Sequence, residues 1–229
     1  MDEISINAYV PLCEQYNTLA QSFYQQHLDL KSQLEQLGPP ADFLENPILA
    51  NAQMELHAGI FQAAICAVVF EAFAIESYVN FFGASTLGDD KYYATYESGE
   101  PGKRYSTIYK LKKLCKDEFD SSYPTDGKHF VALKGLFDKR NRLAHNKPKA
   151  HILSTKNGDT FDDYYDAMAE ISFVYEGLEG EMALYDSVKE KLSESTKQPE
   201  PIAEYHKNTA SAMAQSILQT IRRVEGTIK

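Results

Sequence analysis

Three residues of the segment Arg140–His145 have side chains that together suit acid–base chemistry on a bound anion. A histidine such as His145 can accept and donate a proton near neutral pH, which is the requirement for general acid–base catalysis. The planar guanidinium of Arg140 can bind a phosphate through two parallel hydrogen bonds and stabilise the charge that develops on it. Asn141 can orient the histidine or donate a hydrogen bond to the same anion. These residue types therefore predict a candidate catalytic site.

The spacing of Arg140 and His145 limits how this site can be built. The histidine follows the arginine by five positions. Because an α-helix turns about 100° per residue, the two side chains would point about 140° apart on one helix. One straight helix cannot present both groups to the same atom. Either the helix bends within the segment, or a second copy of the chain completes the site.

The segment, RNRLAH in one-letter code, resembles the signature motif of the HEPN superfamily, in which an arginine, a polar residue and a histidine occur in this order. The resemblance covers residues 60–146, which include a long apolar stretch before the motif. It implies an all-α fold and a homodimer in which two motifs line one cleft. It also implies RNA cleavage without a metal or other cofactor, with a 2′,3′-cyclic phosphate as the product.

This resemblance gives each candidate residue an expected role. Arg140 would hold the scissile phosphate, while His145 would act as general base on the 2′-hydroxyl or general acid on the leaving 5′-oxygen. Lys139, Arg142 and Lys147 flank the motif and are the predicted phosphate or RNA ligands. We therefore expect an endoribonuclease of the toxin or phage-defence type, with RNA and a cognate antitoxin as candidate partners.

A non-catalytic role accounts for the same residues. Many HEPN proteins keep the fold while serving as scaffolds, so the alternative is a dimerisation or interaction module. Arg140 and Arg142 would then pair with acidic residues such as Glu71 or Glu76, and His145 would cap a helix end. The formal net charge of −10 favours this alternative, since a strongly acidic protein repels nucleic acid unless its charge is unevenly distributed.

Glu71 interrupts an otherwise apolar stretch of the predicted central helix. A buried carboxylate needs a partner. We therefore expect Arg140 or Arg142 to pair with Glu71, which would give the motif structural support. A Glu71 that faces solvent is the alternative interpretation.

The charge is distributed unevenly along the chain. Residues 103–151 contain 13 basic and 5 acidic residues, whereas the remainder contains 10 basic and 28 acidic residues. The basic segment includes the motif together with Lys134 and Lys149. This asymmetry predicts either an anionic partner or a basic face that docks on an acidic one.

Helical periodicity dominates the rest of the sequence, and no stretch alternates with the period of a strand. We expect an all-α fold, with a single helical bundle of five to six helices around a long central helix, forming one domain over residues 1–229. Its N-terminal helix lies within residues 1–45, its core with the motif within 46–146, and its C-terminal helices within 160–229. Asn46 is predicted to cap the second helix and Ser106 a short basic one, while Gly38 and Gly83 are predicted to end the first two helices. The motif helix is predicted from Lys128 to about Asn146, and a long helix that opens at Thr160 is predicted to kink within residues 176–180.

The polar stretch between residues 84 and 105 is long for a connection in a compact domain. It is predicted to be functional, mobile or to hold a short helix. Its tyrosines, Tyr92, Tyr93 and Tyr96, could stack on bases or pack within the loop or a dimer contact.

Cysteine and acidic residues do not predict a metal site. The three cysteines have no metal-ligand spacing, and this pattern is typical of a reducing compartment. The acidic cluster of Asp162, Asp163, Asp166 and Glu170 is more typical of a solvated helix start. We expect no signal peptide, no membrane span, because the longest uncharged apolar run (residues 63–70) is too short, and a cytoplasmic location.

The motif spacing predicts a homodimer in solution. Sedimentation equilibrium at concentrations on the order of tens of micromolar, where weak dimers form, should give twice the mass of the chain. A strict monomer under those conditions would argue against a site shared between two motifs.

Overall fold

A computed structural model of the protein describes residues 12–42, 44–96, 105–145 and 172–202, together with positions 207, 208, 210, 211 and 215. Over these residues the regular structure is helical throughout, without a strand, which confirms the all-α prediction. The α-helices are α1 (Leu12–Gln36), α2 (Pro47–Leu87), α3 (Asp89–Tyr96), α4 (Thr107–Phe119), α5 (Gly127–His145), α6 (Leu178–Glu181) and α7 (Leu184–Thr196), with a 3-10 turn at Ser172–Tyr175. The described part of the chain contains seven α-helices, whereas five to six were predicted. The short helices α3 and α6 account for the difference.

Helix α1 ends where the sequence predicts. Gly38 follows it with a φ of +86°, a left-handed conformation that glycine adopts without steric cost. Aromatic rings join α1 to α2: the rings of Phe23 and Phe70 stack at 5.7 Å, and Tyr16 contacts Phe73 at 5.7 Å. Such ring pairs bury a large apolar area between the two helices.

Helix α2 begins as predicted but ends later. Asn46 caps its first turn, since the Leu49 backbone N–H donates to Asn46 Oδ1 at 3.2 Å. The predicted stop at Gly83 is wrong, because the helix continues to Leu87 and Gly88, with a φ of +83°, follows it. Gly83 instead makes room for a ring: a Cβ atom at this position would lie 2.1 Å from Cε2 of Tyr92.

By length and composition alone, α2 is apolar enough to cross a membrane. Half of its most apolar window is buried within the protein, and the central helix of a bundle passes the same test. Its buried residues include Ala67, Val68, Ile75 and Val79. The helix therefore matches the long central helix that the sequence predicts.

The stretch between residues 84 and 105 contains the short helix α3, one of the predicted alternatives. Tyr92 and Tyr96 are buried and stack on each other at 5.1 Å, and the Tyr92 hydroxyl donates to Asn80 Oδ1 at 2.9 Å. These two rings are therefore part of the core and are not available to bases. Tyr93 remains partly exposed; residues 97–104 lie outside the described part of the chain.

The next two helices follow the sequence closely. Ser106 caps α4 as predicted, accepting a hydrogen bond from the Tyr109 backbone N–H at 3.2 Å. Helix α5 starts at Gly127 and buries Leu133 and Leu136 along one face. Further on, Gly177 with a φ of +70° separates the 3-10 turn from α6, where the sequence suggested a kink in one long helix. The predicted helix start at Thr160 lies outside the described residues.

The chain divides into two compact units, one drawn from residues 1–78 and 124–188 and the other from residues 79–123 and 189–229. In the first unit, α1, the N-terminal part of α2, α5 and α6 surround a core that includes Ile75 and Leu136. In the second, the end of α2 packs with α3 and α4 around Phe82 and Leu114. The single domain remains a prediction.

The close contact between Gly83 and Tyr92 predicts a stability defect. In Gly83→Ala, the added methyl group would overlap the buried ring of Tyr92. We expect the free energy of unfolding to fall by about 1–3 kcal/mol, the usual cost of overpacking a core. Gly180→Ala is the matched control, because a Cβ atom there meets nothing within 4 Å. Urea denaturation of both variants checks this, and equal stability of the two would contradict the described packing.

Candidate functional site

Helix α5 positions the motif through its apolar face. Phe130, Leu133, Leu136 and Phe137 are buried at the three- and four-residue spacing that places side chains on one side of a helix. Arg140 follows Phe137 by one turn, so it lies at the edge of this buried face, with its guanidinium carbon 5.5 Å from the Phe137 ring centre. Asn141 and Arg142, one and two steps further, are exposed.

The Arg140 guanidinium is only partly engaged. Its Nη1 lies 3.6 Å from Glu76 Oε2, a distance that gives ionic attraction without a good hydrogen bond. Its Nε is buried and has no hydrogen-bond partner within the described structure. The side chain retains 24% of its exposure. Arg140 is thus held near the surface of the protein, where the partly exposed end of its guanidinium, and not the buried Nε, can meet an anion.

Arg142 is held by an aromatic contact. Its guanidinium carbon lies 3.5 Å from the centre of the Phe173 ring, a cation–π arrangement in which the planar cation stacks on the ring. The residue is exposed. This contact connects the motif to the 3-10 turn and leaves the edges of the guanidinium available to a phosphate.

His145 is the last residue of α5. The helix is continuous from Arg140 to this position, so the backbone carries the two residues about 140° apart around its axis. The side chain of His145 lies outside the described part of the structure, as does all of Lys147. Within one chain, therefore, the described backbone does not bring the arginine and the histidine to one side of the helix.

Lys139 has a different environment from the one predicted. Its side chain is buried, and its Nζ lies 2.9 Å from the Glu181 carboxylate. It also donates to the backbone carbonyls of Val174 and Glu176. Burial raises the pKa of Glu181, while the charge of Lys139 opposes that shift. Lys139 therefore ties α5 to the segment around α6 and does not present its ammonium to a phosphate, because its donors are already used.

Glu71 is buried as predicted, but its partner is not an arginine. The side chain has 0% exposure, and its Oε1 accepts a hydrogen bond from the Tyr185 backbone N–H at 2.8 Å. Tyr185 is the second residue of α7, where backbone N–H groups have no partner within the helix. Glu71 thus caps α7 from a different helix. The predicted pairing with Arg140 or Arg142 is wrong.

The environment of Glu71 favours its protonated form. Burial raises its pKa to about 7, and the negative charges of Asp186 and Glu181 add to the shift, whereas the Tyr185 hydrogen bond opposes it. Its Oε2 is buried without a hydrogen-bond partner within the described structure. A buried carboxylate in this situation binds a proton more tightly than it does in the unfolded chain.

The contacts of the motif were predicted from the sequence only in part. Glu76 was named as an alternative partner for Arg140, and the structure places it there. Phe173 and Glu181 were not singled out, although the buried position of Lys139 on α5 could have been read from its spacing of three from Leu136. The described residues hold no group of three or more His, Cys, Asp or Glu that could bind a metal ion. The acidic cluster around Asp162 lies outside them.

No family model, curated protein or solved structure matches the chain. The motif and its surroundings in the structure therefore carry the functional interpretation.

The raised pKa of Glu71 predicts a pH-dependent stability. Between pH 4.5 and about 7 the folded protein keeps the proton that the unfolded chain has lost, so the free energy of unfolding falls as the pH rises through this window. The loss amounts to about 3 kcal/mol. Glu71→Gln removes the titrating group. The free energy of unfolding of the variant, relative to that of wild type, should therefore increase by about 3 kcal/mol between roughly pH 4.5 and pH 8.

Urea denaturation at both pH values measures this difference. Glu55→Gln, which removes an exposed carboxylate from the same helix, controls for the lost charge. If Glu71→Gln and Glu55→Gln changed with pH in the same way, the buried cap would be contradicted.

Proposed function

We propose that this protein is a HEPN-like, metal-independent endoribonuclease whose active site is shared between two copies of the chain. The observation that carries the proposal is the RNRLAH motif at the end of α5, with a partly exposed Arg140 whose Nη1 lies 3.6 Å from Glu76, too far for a good hydrogen bond. Asn141 and Arg142 on the exposed side of the same helix support it.

The mechanism assigns one role to each side chain. A histidine, His145, takes the proton of the 2′-hydroxyl as this oxygen attacks the adjacent phosphorus. Arg140 stabilises the negative charge that develops on the phosphoryl oxygens, and Asn141 donates a hydrogen bond to the phosphate or orients the imidazole. The bond to the 5′-oxygen breaks as that oxygen takes a proton from water, so one arginine and one histidine suffice for each site. The products are a 2′,3′-cyclic phosphate and a free 5′-hydroxyl.

The continuous helix α5 supports a site built from two copies. Since α5 is continuous through the motif, its backbone places position 145 about 140° around the helix axis from position 140. Two chains that pack their α5 termini together would bring the arginine of one near the histidine of the other. The homodimer is therefore part of the proposed active site, and RNA is its substrate.

The competing proposal is a non-catalytic interaction module. The Arg140–Glu76 contact favours it, because an arginine that serves packing would be expected to pair with a carboxylate on a neighbouring helix. A toxin or phage-defence setting, a cognate antitoxin and a cytoplasmic location belong to the ribonuclease proposal and rest on the motif.

Substitutions in the motif separate the two proposals. His145→Ala should lower RNA cleavage by about 10²–10⁴-fold, which is the usual contribution of a general acid–base group, with no change in the thermal unfolding midpoint. Arg140→Lys should be almost as inactive as Arg140→Ala, because a point charge does not replace a planar fork. The assay uses purified protein, mixed RNA and EDTA, with His57→Ala as the control histidine variant.

The ribonuclease proposal requires that wild type and His57→Ala cleave RNA in EDTA. If neither cleaves any RNA, while Arg140→Ala lowers the unfolding midpoint, the interaction module stands and the ribonuclease proposal fails.

A further inference from the structure

Helix α4 in the second unit has one face that is both aromatic and basic. Its inner side is formed by buried residues that include Leu111, Leu114 and Cys115. On its outer side lie Tyr109, Lys112, Lys113 and Lys116. At about 100° per residue these four positions fall within roughly 100° of the helix circumference, so their side chains share one face.

Two tyrosines lie at the N-terminal end of this face. The rings of Tyr105 and Tyr109 are 4.6 Å apart and only 19° from parallel. Tyr109 is 45% exposed. Tyr92 and Tyr96 of α3, by contrast, are buried. The Tyr105–Tyr109 pair is thus a flat aromatic stack that reaches the surface.

The lysines give the same face a positive charge. Lys112 and Lys116 are exposed. Lys113 forms an ion pair with Asp117 one turn further on, and 27% of its side chain is exposed. Negative charge is confined to the C-terminal end of the helix, where Glu118 pairs with Lys91 at 2.6 Å. The positive charge therefore lies directly beside the stacked rings.

We propose that this face, formed by Tyr105, Tyr109, Lys112, Lys113 and Lys116, binds single-stranded RNA. The proposal rests on the proposed ribonuclease function for the choice of RNA, and it adds a binding surface outside the RNRLAH motif. Exposed aromatic rings accept an unpaired base as a further member of their stack, and neighbouring lysines contact the phosphates. A duplex buries its base faces, and an acidic peptide need not contain an aromatic ring. Every nucleotide of a single strand carries both a base and a phosphate, so the combination of rings and lysines favours a single strand.

Binding can be measured without cleavage by using a fluorescein-labelled 2′-O-methyl oligouridine, which lacks the attacking hydroxyl. Fluorescence anisotropy should show that Tyr109→Ala weakens binding by about 5- to 150-fold, the loss expected for one base–aromatic stack. Tyr109→Phe should bind like wild type, because the ring remains. Tyr93→Ala, which removes a comparably exposed ring from α3, is the matched control and should leave the affinity unchanged.

The lysines have a separate readout. Lys112→Ala and Lys116→Ala should each reduce the slope of log affinity against log salt by about 0.7, the value for one phosphate contact on a single strand. Asp117→Asn should strengthen binding, because it frees Lys113 and removes a negative charge. Inorganic polyphosphate, a polyanion without bases, should bind wild type and Tyr109→Ala equally.

The proposal is overturned if Tyr109→Ala binds the oligonucleotide as wild type does, or if it loses polyphosphate and RNA to the same extent. These outcomes are independent of catalysis. A wild-type protein that binds through Tyr109 but cleaves no RNA would contradict the ribonuclease proposal alone, whereas cleavage without Tyr109-dependent binding would contradict only this inference.

Discussion

The buried ion pair between Lys139 and Glu181, together with the apolar face of α5, fixes which side of the helix faces inward, and the arrangement of the motif depends on it. Lys139 faces inward, with its Nζ 2.9 Å from the Glu181 carboxylate. Because each further residue turns by about 100°, Arg140 then falls at the edge of the buried face, while Asn141 and Arg142 face outward. Removing one member of such a pair leaves an unpaired charge in the interior, which destabilises the fold far more than the loss of a surface contact does.

Two buried acidic side chains in the same unit each accept a hydrogen bond from a buried donor. Glu181 neutralises the lysine that precedes the motif, and Glu71 caps the first turn of α7 through the Tyr185 backbone N–H. Each places a polar group where apolar packing alone would leave a donor without a partner. Because Asp186 and Glu181 both raise the pKa of Glu71, the carboxylates of this region are electrostatically linked. The shape of the motif region therefore depends on buried charge as well as on apolar packing.

Local signals in the sequence were sufficient for much of the helical framework. The cap at Asn46, the cap at Ser106 and the extent of α5 all depend on residues within a turn of one another, and each was predicted correctly. Gly83 was misinterpreted because a glycine that ends a helix and a glycine that admits a distant ring look identical in sequence. Only the position of Tyr92 distinguishes them.

The candidate site was predictable as a set of residues, but its contacts were not. The burial of Glu71 followed from its apolar neighbours, whereas its partner is a backbone N–H that is 114 positions away, and no periodicity reveals such a pairing. Lys139 was predicted to bind phosphate or RNA because it flanks the motif, although it occupies a buried position of α5 and pairs with Glu181. Long-range polar pairs of this kind require the tertiary structure.

In the proposed active site, the arginine of one chain acts together with the histidine of the other. Co-expressing Arg140→Ala and His145→Ala chains with different affinity tags and purifying the mixed dimer tests it directly. Each variant homodimer should be inactive, whereas the mixed dimer retains one Arg140 and one His145 on opposite chains and should recover RNA cleavage. A mixed dimer as inactive as the two homodimers, beside an active wild type, would contradict the shared site.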